Sequence, residues 1–202
     1  MATFIENLTE TEAVQDQTPA LRPFTVAEYY KMAETGILCH DERVELIEGR
    51  IVKMSPKGIR HAATNDRASN CFGKHLADRV IVRNQNPIHL NDASEPEPDL
   101  VLAVPQEKGY FDHHPTPPEV LLVLEIADTS LNIDRYTKSR LYATAGIIQY
   151  CLVNLQSREI EDYREPGPEG YGSMQTYKAG QGFNLAAFPD VVIGVDELMP
   201  PE

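Results

Sequence analysis

The most apolar stretch of the chain is residues 119–127, and it predicts a strand buried on both faces of a sheet. A second apolar run, residues 100–104, predicts another strand. Residues 43–54 alternate between apolar and polar side chains around Glu48 and Gly49, as is typical of a β-hairpin. Further strands are predicted at residues 80–83, 87–90, 148–153 and 159–163.

Helical signals lie between these strands. Thr25 and Glu28 have the spacing of a capping box, which predicts the start of a short helix. Longer helices are predicted over residues 59–78 and 132–145, and the proline-rich segment 105–118 predicts an exposed loop. The predicted buried face of the helix over residues 59–78 comprises Ala62, Ala63, Ala68, Phe72 and Leu76.

Composition and length favour one globular domain over residues 23–202, with a mobile tail over residues 1–22 that has little periodic hydrophobicity. The 18 basic and 31 acidic residues give a formal net charge of −13, which opposes non-specific attraction to nucleic acid or to an anionic membrane. Neither a secretory signal nor a membrane-spanning segment is evident, and the three cysteines lack the spacing of a zinc or redox motif. We therefore expect a cytoplasmic protein that does not enter a membrane.

Glu125 interrupts the most apolar run of the chain. A buried carboxylate must be paired, protonated or bound to a metal, because leaving water costs several kcal/mol. Asp99 directly precedes the strand predicted at residues 100–104, and 125 − 99 = 26 residues suffice for a strand, a loop and a neighbouring strand. Both acids can therefore face one magnesium ion, which prefers oxygen ligands. The alternatives are a Glu125 satisfied by an arginine or by backbone amides, and an Asp99 that belongs to a turn.

Lys138 lies in the helix that follows the Glu125 strand, on one face with Asp134 and Tyr142. A lysine near the metal could orient or deprotonate the attacking water and stabilise the negative charge of the transition state. The alternative is a surface ion pair between Asp134 and Lys138, worth a few tenths of a kcal/mol.

Four segments, in their order along the chain, resemble the Uma-type putative restriction endonucleases of the restriction-endonuclease-like, or PD-(D/E)XK, nuclease superfamily. The resemblance extends over about residues 24–198, and the combination is much more specific than any single segment. The four segments are residues 44–52, 97–102, 123–126 and 134–146.

The resemblance implies an α+β fold with a central mixed sheet flanked by helices, and a magnesium-dependent phosphodiesterase site. Asp99 corresponds to the aspartate of the PD pair, and Glu125 corresponds to the acid of the next strand. The superfamily's commonest pattern has a lysine two residues after that acid, where this chain has an alanine. The Uma-type pattern resembles a variant whose lysine has moved to the next helix, which matches Lys138. The resemblance also implies that Glu45 supports the metal site and that His61 approaches the substrate phosphate. The alternative for His61 is a histidine at the start of a helix, near solvent.

Three functional hypotheses follow. The first is a DNA endonuclease that uses Mg²⁺, or Mn²⁺, bound by Asp99, Glu125 and Glu45, with catalysis assisted by Lys138. The second is a non-catalytic interaction module, for example a homodimer. The third is a phosphohydrolase of small phosphate esters, for which the net charge is less unfavourable. If DNA is the substrate, a local basic surface must compensate for the acidic chain. The candidates for that surface are Arg60, Arg67, Lys74, Arg79, Arg135, Lys138 and Arg140, and the alternative is that these residues form only a solvated face.

Overall fold

The computed structural model describes residues 21–201. The tail predicted for residues 1–22 therefore lies, except for its last two residues, outside the described part. In chain order the strands are β1 (Val44–Ile47), β2 (Arg50–Lys53), β3 (Ile81–Asn84), β4 (Leu100–Ala103), β5 (Val120–Ala127), β6 (Gln149–Asn154), β7 (Glu159–Gly167), β8 (Gly170–Tyr177), β9 (Gly182–Leu185) and β10 (Phe188–Gly194). The helices are α1 (Val26–Glu34), α2 (Ile59–Leu76), a π-helical turn (Ile133–Lys138) that continues as α3 (Ser139–Thr144), and α4 (Val195–Leu198).

The central sheet has six strands in the order β3-β4-β5-β6-β7-β8. Strands β5 and β6 are parallel and the other neighbouring pairs are antiparallel, so the sheet is mixed, as predicted. Strand β5 lies in the interior of the sheet, and seven of its eight residues are buried. This burial on both faces explains why its sequence is almost continuously apolar.

Each face of the sheet carries its own core. One core is built from α2, α4, the β9-β10 hairpin and the sheet residues Leu100, Leu124 and Ile126. The opposite core is built from α3, residues of the β1-β2 hairpin and the sheet residues Val101 and Val123. Glu125 lies between Leu124 and Ile126 in the strand, so its side chain points to the α3 face. The α+β fold with helices on both faces of a mixed sheet is confirmed.

The capping box at the start of α1 is confirmed. The Glu28 amide donates to the Thr25 hydroxyl at 3.2 Å, and the Thr25 amide donates to the Glu28 carboxylate at 2.9 Å. The hairpin predicted around Glu48 and Gly49 is also present, as β1 and β2.

The prediction of a strand at residues 87–90 is wrong. Ile88 and Leu90 are buried, but their amides donate to the carbonyls of Pro96 and Ser94 in the returning loop, not to a sheet neighbour. The alternation of apolar residues indicates which side of an extended segment is buried, but it does not identify the segment to which that backbone is hydrogen-bonded.

The predicted buried face of α2 is correct only in the C-terminal half of the helix. Ala62 is exposed and Ala63 is half-buried, whereas His61, Thr64 and Asn65 are buried. His61 borders a cleft at the start of α2, and the Thr64 hydroxyl donates to the Arg60 carbonyl within the helix, whereas the later turns cover the apolar sheet.

Gly49 provides a test of the fold at the β1-β2 turn. Its φ is +72°, and a Cβ there would lie 2.2 Å from the Cβ of Pro23, where the N-terminal segment crosses the hairpin. Gly49→Ala is expected to lower the free energy of unfolding by at least about 2 kcal/mol, through backbone strain and overpacking.

Gly36→Ala is the matched control for this test. Gly36 has a similar φ of +76°, but a Cβ there would meet nothing within 4 Å. It should cost about 1 kcal/mol, from the left-handed backbone alone. Urea unfolding of both variants measures the difference, and equal losses would show that the contact with Pro23 does not constrain the hairpin.

Candidate active site

Asp99 and Glu125 lie opposite each other on neighbouring strands. Leu100 pairs with Leu124 in the β4-β5 register, and one further step places Asp99 across from Glu125 on the same face of the sheet. Both residues are buried, with exposures of 6% and 3%. The Ile126 amide donates to Asp99 Oδ2 at 2.9 Å, and the Asp99 amide donates to Glu125 Oε2 at 3.3 Å. The two acids are therefore held together by the end of the strand pair.

Lys138 reaches both this pair and the β1-β2 hairpin. Its Nζ lies 2.9 Å from Glu125 Oε1 and 3.2 Å from Glu45 Oε1, and the lysine is buried. Tyr142, one turn later, donates its hydroxyl to Glu125 Oε1 at 2.8 Å. The predicted alternative of a surface pair between Asp134 and Lys138 is wrong, because both residues are buried and Lys138 contacts other acids.

The helix that carries Lys138 begins with a π-helical turn, Ile133–Lys138. The Ser139 amide donates to the Asp134 carbonyl, five residues earlier, as in a π-helix. The Asp134 carboxylate accepts from the Ser130 hydroxyl, and the Asp134 carbonyl accepts from Tyr150. These contacts fix the start of the helix beside the carboxyl end of β5 and direct Lys138 towards Glu125.

Glu45 forms an ion pair with Lys138, and it makes no hydrogen bond with Asp99 or Glu125. One of its carboxylate oxygens, Oε1, faces Lys138, and the other accepts from the Glu97 amide at 3.1 Å. The hairpin thus supplies a second negative charge that holds the ammonium group in place.

His61 lies in the first turn of α2, with Nε2 3.0 Å from Asp99 Oδ2. Lys57, in the loop before α2, has its Nζ 3.5 Å from Asp99 Oδ1. Both His61 Nδ1 and Lys57 Nζ are buried and make no hydrogen bond with the described residues. The sequence prediction missed Lys57, since nothing in the local pattern of that loop distinguishes it from a solvated lysine.

These side chains border a cavity of about 240 Å³ that opens to solvent. Its walls contain six carboxylic acids and three lysines, an excess of acidic groups that a bound cation would offset. The acids are Glu45, Glu97, Asp99, Glu125, Asp128 and Asp134, and the lysines are Lys53, Lys57 and Lys138.

The donor chemistry of this cavity fits magnesium. Buried carboxylates at adjacent strand ends are oxygen ligands, and magnesium is usually held by one or two of them together with waters and substrate phosphate. Within residues 21–201, no three acidic or histidine ligand atoms of the cavity lie within 4.8 Å of one another. The side chains therefore form an open site and not a closed cage.

Burial and charge shift the pKa values of these groups in different directions. Burial raises the pKa of Glu125 to about 8, although the attraction of Lys138 opposes the rise. Burial also opposes ionisation of Lys138, but Glu125 and Glu45 outweigh it and raise the pKa of the lysine above its ordinary value. Burial would raise the pKa of Asp99, but the hydrogen bond and charge of His61 lower it below the ordinary value.

Most of the basic residues suggested as a DNA surface have partners within the fold. Arg79 pairs with Asp190 and Arg135 with Glu161. The others with such contacts are Arg60 with the Leu155 carbonyl, Arg67 with the Asp196 carbonyl, and Arg140 with Glu48. The cationic side chains at the cavity itself are Lys53, Lys57 and Lys138.

A mixed sheet with an acid at the end of each of two adjacent strands, and a lysine beside them, defines a restriction-endonuclease-like fold. The chain belongs to the Uma2 family, described as "Putative restriction endonuclease", whose model matches residues 26–196. It is also similar in fold to a protein from Anabaena variabilis described as a putative nuclease belonging to DUF820. The TM-score is 0.70 at 16% sequence identity, over 87% of this chain and 97% of the other.

No curated protein matches the chain. Among the helices of residues 21–201, none combines the length and apolar character that crossing a bilayer requires.

Proposed function

We propose that this protein is a metal-dependent endonuclease that hydrolyses phosphodiester bonds in DNA. The observation that supports the proposal most strongly is the convergence of Asp99, Glu125 and Lys138 at one open cavity. They come from the ends of two adjacent strands and from the following helix. A protein that served only as a scaffold would have no need for two buried acids and a buried lysine facing solvent-accessible space.

In this proposal Asp99 and Glu125 hold Mg²⁺, and Mn²⁺ can replace it. A divalent cation at this position would polarise the scissile phosphate and lower the pKa of a water molecule. The ligand role predicted for Glu45 stays a prediction, since its contacts are with Lys138 and the Glu97 amide. We propose that Glu45 acts by positioning the lysine.

Lys138 contributes positive charge to the reaction. Two carboxylates raise its pKa, so the lysine keeps its proton near neutral pH. An ammonium group held at this point can orient the attacking water and stabilise the extra negative charge that the phosphate carries in the transition state. This role is favoured over proton abstraction by Lys138.

His61 positions Asp99 through their 3.0 Å contact. If Nε2 donates to the carboxylate, Nδ1 of a neutral imidazole is an acceptor and cannot donate to a phosphate. The phosphate contact predicted for His61 therefore requires the doubly protonated ring.

The test of the proposed function is cleavage by the purified full-length protein after removal of bound metals. Supercoiled plasmid, a single-stranded oligonucleotide and a chromogenic small phosphodiester are each incubated with Mg²⁺, Mn²⁺ or a chelator. We expect plasmid nicking and linearisation that requires Mg²⁺ or Mn²⁺. Absence of cleavage of every DNA substrate, together with no calorimetric binding of either ion, would overturn the proposal and favour the non-catalytic module.

Hydrolysis of small phosphate esters is the second candidate function. The acidic cavity walls and the net charge of −13 disfavour a polyanion more than a small substrate. Turnover of the small phosphodiester without DNA cleavage would support this candidate. The predicted homodimer is tested separately, by sedimentation of the same preparation.

A further inference from the structure

A second cluster of ligating side chains lies near the C-terminal end of α2. Cys71 and His75 are one helical turn apart and share a face, and Glu197 of α4 packs against them. One ligand atom from each residue lies within 4.8 Å of the other two. In the described part of the chain this is the one group of three histidine, cysteine or acidic residues that meets this distance.

The three side chains are held in place by different parts of the fold. Cys71 is buried at the edge of the core, with 7% exposure. Glu197 uses Oε1 to accept from the Gly194 amide at 3.1 Å, which leaves Oε2 facing His75 Nε2 at 2.8 Å. The cluster is therefore formed by the packing of α4 on α2 and not by chance contact of mobile side chains.

This cluster is separate from the candidate active site. Cys71 follows His61 by ten residues on the same helix, which corresponds to about 15 Å along the axis. The residues of the cluster do not border the active-site cavity. Lys74 and Arg67 are nearby cations whose charges act on the Cys71 thiol.

We propose that Cys71, His75 and Glu197 bind a zinc ion, with water as the fourth ligand. Thiolate, imidazole and carboxylate are the three ligand types that zinc accepts in tetrahedral sites. The ligand atoms of such a site are about 3.5 Å apart, so only small side-chain movements are needed from the present separations. A thiolate ligand selects zinc over magnesium, which prefers oxygen ligands.

Binding would replace the proton of the cysteine by the metal. Burial raises the pKa of the Cys71 thiol to about 12, so the thiol is protonated when no cation is present. Formation of the zinc–sulfur bond releases that proton to solvent, and no oxidant or reductant is required. The imidazole and the carboxylate bind without further loss of a proton, provided that His75 is neutral.

The site would join the C-terminal helix to the long helix of the fold. Val195 and Leu198 of α4 are fully buried in the same core as Phe72 and Leu76 of α2. A zinc ion bound by both helices would stabilise this packing, since a ligand that binds the folded state raises its stability.

The test is cobalt titration of the chelator-treated full-length protein, kept reduced under nitrogen. Cobalt is a spectroscopic substitute for zinc, and a thiolate ligand produces a sulfur-to-cobalt charge-transfer band in the near ultraviolet. We expect this band to saturate at one equivalent and to disappear on addition of zinc. Carboxylate ligands at the active site give no such band, so the result is independent of the proposed nuclease activity.

Four variants complete the design. Cys71→Ser should abolish the band, and Cys39→Ser, at an exposed cysteine beside His40, should leave it unchanged. His75→Ala and Glu197→Gln alter more exposed side chains and should weaken cobalt binding at least about tenfold. Circular dichroism checks their folding, so these two variants test the site even if Cys71→Ser unfolds. No band in the native protein, a band retained by Cys71→Ser, or unchanged affinity in both exposed variants would overturn the proposal.

Discussion

Asp99→Asn is expected to reduce metal-dependent DNA cleavage by roughly 10² to 10³-fold, since a metal ion contributes several kcal/mol to transition-state stabilisation. The asparagine can still accept from the Ile126 amide through its carbonyl oxygen, so the fold should persist. Cleavage rates with Mg²⁺ measure the loss of activity, and calorimetric titration with Mn²⁺ measures the accompanying loss of affinity for the metal ion.

Asp128→Asn is the matched control for this variant. It makes the same chemical change in the wall of the same cavity, but at a residue outside the proposed ligand set. The cleavage rate should change less than about tenfold, which is the size expected for a general change of charge. Equal rates for the Asp99 and Asp128 variants would remove Asp99 from the metal site.

Lys138→Met is expected to lower the free energy of unfolding by about 3–5 kcal/mol and to abolish cleavage. The variant leaves Glu125 and Glu45 buried without their shared cation, and breaking a buried pair from one side carries a cost of this size. Urea unfolding at neutral pH measures the stability, and plasmid cleavage measures the activity.

The double variant Lys138→Met/Glu125→Gln separates the two effects. Making Glu125 neutral should restore about half of the lost stability, because one of the two unpaired acids is removed. Cleavage should stay abolished. A single variant as stable as the native protein would contradict the assignment of Lys138 as the cation that neutralises these acids.

The pH dependence of the Lys138→Met variant has a defined sign. Burial already raises the pKa of Glu125 to about 8, and loss of the lysine removes the main opposing effect. The pKa of such a carboxyl group is higher in the folded state than in the unfolded state. The free energy of unfolding therefore falls as the pH rises from the unfolded pKa towards the folded pKa. Stability of the variant should therefore fall from about pH 4.5 upward, and should continue to fall above pH 8.

The arrangement of Asp99 and Glu125 could be predicted because it depends on local signals. A charge inside an apolar strand is visible in the sequence, and so is an acid at the start of a neighbouring strand. Antiparallel pairing of β4 and β5 then brings the two side chains together. Lys138 could be placed on the next helix by its periodicity and by the family resemblance, although its burial could not.

Contacts between distant segments could not be predicted in the same way. Arg67 meets the Asp196 carbonyl and Arg79 meets Asp190, more than a hundred residues away, so residues that suggest a DNA surface bind parts of the same fold. Lys57 joins the site because its loop lies against Asp99, which no periodicity indicates. The apolar residues Ile88 and Leu90 are likewise buried, although they are not part of a sheet strand.

Ala127 explains how a lysine from a helix can reach the acids of this sheet. It is buried on the same face of β5 as Glu125, in the core that includes Leu141 and Tyr142. A small residue there leaves room for the helix to approach the strand. Motif searches that demand an acid and a lysine two positions apart will pass over this chain, because the ammonium group beside Glu125 comes from the following helix and not from position 127.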